Sequence, residues 1–176
     1  TSLSSGTGTW QYSIDNGTTW TNVGAVSGSS SLLLRSTDKL RFVPDGLNGT
    51  SASVTFRAWD RTSGSQGNKV DTSTNGGTTA FSTATATSNI TVSSVNDAPT
   101  LSGANNFTTI NEDQTTNSGD LVSTLISGKV SDVDTGAVNG IAVTSLSSGT
   151  GTWQYSIDNG TTWTNVGAVS GTSALL

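Results

Sequence analysis

One stretch of this chain is written twice. Residues 1–28, TSLSSGTGTWQYSIDNGTTWTNVGAVSG, return letter for letter as residues 144–171. Five further aligned positions, 29–33 against 172–176, bring two changes, Ser29 to Thr172 and Ser31 to Ala174. Thus 31 of 33 positions agree at an offset of 143. Near-identity over that length marks duplication of a whole unit, and it constrains the fold more than any local signal. A unit of 143 residues is ample for one domain with a single core. The chain is therefore read as a window of about one and a quarter units from a longer tandem array.

Inside the unit the pattern is that of short strands. Residues 10–14 and 18–23 alternate, and Asp15-Asn16-Gly17 between them supplies residues that tolerate positive φ; the same hairpin signal recurs at Asp158-Asn159-Gly160. Further strands are expected at 32–34, at 39–43 (stopped by Pro44-Asp45-Gly46), at 53–59 and at 80–95, with 61–78 an exposed loop or hairpin insertion. Val95-Asn96-Asp97-Ala98-Pro99 reads as a linker, because Pro99 breaks pairing and a fresh set of strands follows at 107–110, 121–126 and 139–145. No segment of ten residues has helical periodicity. The expectation is an all-β, antiparallel Ig-like or cadherin-like sandwich, with 1–97 the closing part of one repeat and 98–176 the opening part of the next. Residues 1–97 lack a counterpart of 98–143, so neither half is expected to complete a sandwich alone. Adjacent units or neighbouring chains are expected to complete each fold.

Composition narrows the chemistry. Only 11% of residues are charged and 31% hydrophobic, but five Trp, two Tyr and four Phe argue for a core and against a disordered linker. Cysteine and histidine are absent, which removes disulfides, thiolate metal sites and the commonest general base. Oxygen chemistry is what remains for a metal, favouring Ca²⁺ or Mg²⁺. A net charge of −5 with scattered Lys and Arg offers no basic face for nucleic acid. Nor does any apolar run in this window reach the roughly 18 residues of a membrane span.

At the linker the sequence resembles the cadherin-like tandem repeats of giant bacterial surface proteins, of the VCBS type and related adhesins. The VNDAP-type linker stands at 95–99, an acidic pair at Glu112-Asp113, and a DxD turn at Asp132-Val-Asp134 followed by Gly136 and Asn139. An F-x-P…N-G turn stands at Phe42-Val-Pro44 with Asn48-Gly49, and an A-x-D strand end at Ala58-Trp-Asp60. The wide spacing from Asp60 to Asp97 departs from the family and implies an insertion around 61–80. The resemblance implies a Ca²⁺-stiffened, extracellular stalk or surface fibre, whose partners are neighbouring repeats of the same protein and a cell-surface or glycan target. It assigns Asp97, Asp132 and Asp134 as carboxylate ligands, with Asn96 and Asn139 supplying further oxygens. By the same match, Asp60 serves the joint at the other end of its own domain and Glu112 the next junction. From the residues alone a second account stays open: Asp and Asn cap turns by bonding their own backbone.

Other motifs carry less. Ser13-Ile-Asp15-Asn-Gly17-Thr-Thr19-Trp20, repeated at 156–163, matches the Asp-box pattern of sialidase propeller blades. That pattern stabilises a hairpin and holds no chemistry, and a propeller needs a blade period of about 40–50 residues. Without His or Cys a serine nucleophile would need a lysine base, and no Ser-x-x-Lys is present, so no enzyme is expected. The alternative from another class is a carbohydrate-binding repeat that uses exposed Trp10, Trp20 or Trp59 as a sugar platform.

Overall fold

The computed structural model describes residues 1–176. It is nearly all β, built of small antiparallel sheets with one five-residue helix, and it divides into two units, Thr1–Asn96 and Asp97–Leu176. The strands of the first unit are β1 (Ser2–Ser4), β2 (Thr9–Ser13), β3 (Thr21–Asn22), β4 (Ser31–Leu32), β5 (Lys39–Val43), β6 (Thr50–Phe56), β7 (Lys69–Val70) and β8 (Ala86–Val92). They form two three-stranded sheets, β3-β2-β5 and β1-β6-β8, and a β4-β7 pair.

The first sheet follows from the duplicated hairpin. Asn16 and Gly17 take φ of 61° and 96°, as the turn demands, and β2 then pairs with both β3 and β5. In the ladder with β5, Trp10 stands opposite Phe42 and Gln11 opposite Arg41. Trp10, Val23 and Phe42 are buried with Ala52 of β6, and Leu3, Val54 and Val92 of the second sheet pack against them. The Trp10 and Phe42 rings meet edge to face, with centroids 5.3 Å apart. Burying each such side chain contributes roughly 2–3 kcal/mol. Gly8 is required by this packing, since a Cβ there would lie 2.3 Å from the tip of Phe42.

Two expectations for this unit change. Segment 61–78 contains a strand, β7, that pairs with β4. Its neighbour Thr72 is buried and shares a 2.9 Å hydroxyl hydrogen bond with buried Ser31, while both hydroxyls also reach backbone carbonyls. A stretch rich in Gly, Ser and Thr is thus folded in by polar pairing, which hydrophobic patterning does not register. The long strand read over 80–95 is shorter, Ala86–Val92, and all of it except Val92 is exposed.

The second unit holds β9 (Thr100–Leu101) paired with β10 (Val130–Ser131), helix α1 (Val122–Ile126), and β11 (Gln154–Tyr155) paired with β12 (Thr164–Asn165). Residues 121–126 are a turn of helix and not a strand. Leu125 and Ile126 are both buried, and adjacent inward side chains suit a helical turn better than alternation. Asn105 holds this turn by donating three times: its backbone amide to Leu125 O (2.8 Å) and its Nδ2 to Thr124 O (2.9 Å) and Ser127 O (3.1 Å). Residues 107–110 form no strand, and of 139–145 only Val143 bridges, to Leu175. No helix is long and apolar enough to cross a membrane.

The exposed area is large. The chain leaves 11919 Å² accessible. Two independent compact units of half its mass would expose only about 9,600 Å².

Candidate metal centre

The turn at 132–134 and the start of the second unit are joined by hydrogen bonds. Asp132 Oδ1 accepts the Asp134 amide at 2.9 Å, and Asp134 Oδ2 accepts the Asp97 amide at 2.8 Å. The chain then turns through Gly136 at φ 82°, with the Ala137 amide donating to Asp134 O. A DxD sequence folds this way because the first Asp bonds the backbone two residues on, which aims the second carboxylate outward. Here that second carboxylate reaches back 37 residues to the linker. Asp132 and Asp134 are half-buried, and Asp97 is exposed.

The proposed ligands are therefore brought together in part. Asp134 and Asp97 meet through the Asp97 backbone, and Asp132 meets Asp134 through the turn. No cluster of three acidic side chains forms there. Asn139 is exposed, five residues beyond Asp134. Asn96, also exposed, ends the first unit. Asp60 lies in the first unit, where its Oδ1 accepts the Thr62 hydroxyl (2.6 Å) and amide (2.8 Å). Those bonds, the hydroxyl first, hold its carboxyl below the usual range. Glu112 sits exposed in a turn closed by the Gln114 amide on Asn111 O. The turn-capping account is thus what Asp60 and Asp132 display, while Asp134 reaches the linker instead, and the oxygens of all three remain the right donor type for a hard cation.

Two features escaped the sequence reading. Asp120 clamps Thr108 at both oxygens, accepting its hydroxyl at 2.7 Å and its amide at 2.8 Å, which holds its carboxyl below the usual range. Asp38, with a side chain 1% exposed, accepts the Arg35 guanidinium and also the Arg35 amide. The Arg-x-x-Asp spacing ahead of the strand at 39–43 is the one sequence signal that could have found it. Beside this pair opens a cleft of ≈ 310 Å³ lined by Arg35, Trp59, Arg61, Gly64, Ser65 and Gln66. Arg61 adopts φ 68°, a left-handed conformation uncommon outside glycine.

The tryptophans are placed differently from one another. Trp10 is core, Trp20 lies under the Arg41 guanidinium at 3.8 Å, and Trp59 alone lines the cleft. No protein-family model, curated protein or solved structure matches this chain.

Proposed function

We propose that the chain is part of a tandem array of Ig-like or cadherin-like β-sandwich repeats, working as an extracellular stalk or surface fibre with no catalytic role. Ca²⁺, held by Asp97, Asp132 and Asp134 with Asn139 adding an oxygen, stiffens the linkers so that consecutive repeats stand in line. The observation that carries the reading is the Asp97–Asp134 hydrogen bond, which ties the linker to the DxD turn. It brings the linker backbone to the turn that carries Asp132 and Asp134, and a hard cation with six to eight oxygen ligands would draw on carboxylates from both segments. The duplication supports the mechanical role, because a stalk needs many equivalent units and no unique site. The test is thermal unfolding of a three-repeat protein in millimolar Ca²⁺ and in chelator. At a Ca²⁺ concentration about 100 times Kd the folded state gains roughly 2.7 kcal/mol, so the midpoint rises, and Asp132→Asn with Asp134→Asn removes the rise. Equal midpoints in calcium and chelator would sink the calcium part of the reading.

The cleft favours a second reading, a glycan-binding repeat. Trp59 offers an aromatic face while Arg61 and Gln66 offer donors, a combination that suits an acidic sugar. Only one of the three tryptophans lines it, so no extended platform forms. Calorimetric titration with a uronic-acid oligosaccharide decides the point: heat that Trp59→Ala abolishes supports binding, and no heat dismisses it.

A further inference from the structure

We propose that the outer edge of β11, residues 152–156, is an acceptor for the Lys39–Val43 strand of the next copy of the unit. The register is Thr152 with Val43, Trp153 with Phe42, Gln154 with Arg41, Tyr155 with Leu40 and Ser156 with Lys39. This rests on the tandem-array reading and makes no use of calcium.

The occupant is known because the first copy of the same hairpin already holds it. Residues 9–13 pair with Lys39–Val43 over five positions, and residues 152–156 are identical to them. The second hairpin is also preformed for the same guest. Gln11 donates its Nε2 to Asn22 Oδ1 and thereby turns its Oε1 to Arg41, which donates to it at 2.9 and 2.7 Å. Gln154 is turned the same way, its Nε2 on Asn165 Oδ1 at 2.9 Å. Lys39 donates to the Asn16 carbonyl at the turn, where φ is 61°, and Asn159 repeats that turn at φ 58°. Trp20 receives the Arg41 guanidinium on its face, and its counterpart Trp163 is exposed.

On its other side β11 pairs only with β12, so an edge strand is left with main-chain groups aimed outward, a template for one more strand. Phe107 packs on Trp153 with centroids 5.2 Å apart, but 107–110 form no ladder with the hairpin. The Lys39–Val43 strand of residues 1–176 stays on residues 9–13, to which the short connection 33–38 tethers it. A following unit brings its own strand, on the same tether, to the hairpin at 144–176. One difference qualifies the match: Ala174 stands where the first copy has Ser31, so the hydroxyl pair with Thr72 is lost, while all five ladder positions are kept.

The experiment extends the full chain at Leu176 with a second 34–97, which preserves the register because Leu33 and Leu176 are equivalent. It is run in chelator. Hydrogen exchange is followed with exposed Thr164 changed to Ser, so that peptides of the two identical hairpins differ in mass. Amides of 152–156 are expected to slow about tenfold or more relative to the unextended chain. Since the chain lacks cysteine, Gln154→Cys paired with Cys at the appended Arg41 position should oxidise readily. Cys at the appended Leu40 position should not, because a one-residue slip turns the side chain to the other face. Ala in place of the appended Phe42 should restore fast exchange. Residues 9–13 in the same molecule report that the chain is folded. If they stay protected while 152–156 exchange as before, or if both cysteine registers oxidise equally, the proposal is overturned. A calcium effect without this protection would leave the stalk reading standing and remove the strand docking.

Discussion

Trp10 and Trp153 occupy the same place in the same 28-residue sequence, and their surroundings differ. Trp10 is 7% exposed and Trp153 37%. Within each hairpin the geometry agrees to within about a tenth of an ångström. The indole N–H donates to Ser4 O at 2.9 Å in one and to Ser147 O at 3.0 Å in the other, and Val23 and Val166 close their ladders at 2.9 and 3.0 Å. The Asp boxes also coincide, with Ser13 to Asp15 and Ser156 to Asp158 both at 2.7 Å. What separates the copies is β5 and β6. Phe42 and Ala52 cover Trp10, whereas the ring against Trp153 is Phe107, and Ile157 is 92% exposed against 39% for Ile14. Local sequence makes the hairpin, and distant strands make it a core.

Substitutions can break that contrast, and the largest effect is expected at the aromatic partners. Phe42→Ala should cost about 3–5 kcal/mol in the first unit, by lost transfer energy plus cavity. Denaturant unfolding followed by tryptophan emission measures it. Phe107→Ala removes a half-exposed ring and should cost only about 1 kcal/mol in the second unit. Equal costs would mean that the two hairpins are covered alike after all.

A sharper comparison uses equivalent glycines. A Cβ on Gly8 would meet Phe42 at 2.3 Å and Val43 O at 2.5 Å, while on Gly151 it would meet only Ser148 O at 3.6 Å. Gly8→Ala should therefore destabilise by about 1–3 kcal/mol and Gly151→Ala by less than about 0.5 kcal/mol. Thermal midpoints of the two single variants give the answer.

The smallest effect should be common to both copies, because it comes from inside the hairpin. The Thr162 hydroxyl, then the Thr162 amide and the Ser156 hydroxyl, hold Asp158 at about 2, and the same bonds from Thr19 and Ser13 depress Asp15. A depressed carboxyl pKa stabilises the folded hairpin fully above the unfolded value of about 3.9, and the contribution is lost as pH falls from there through the folded value. The protection of amides 156–162, taken relative to their intrinsic exchange rate at each pH, should therefore fall between about pH 4 and pH 2 and stay constant above about pH 5. Asp158→Asn should abolish that pH dependence. A transition near pH 6 would point to a different group.

Legibility in the sequence followed the range of the interaction. The Asp-Asn-Gly turns and the strand at 39–43 were readable, since each depends on neighbours a few residues away. The DxD turn was readable as a turn, but the bond from Asp134 to the Asp97 amide spans 37 residues and was not. The β4–β7 pair escaped for the same reason, being sealed by a Ser31–Thr72 bond across 41 residues. The cleft of Trp59 and Arg61 lies where segment 61–66 comes beside Arg35, which no motif announced.

By itself, then, the sequence determined a repeated hairpin, its turns and its alternation, because those energies are settled within one hairpin. Tertiary structure alone decided which copy of that hairpin became a core. A tryptophan is removed from water only when strands far along the chain arrive to cover it, and the two copies hold different strands within reach.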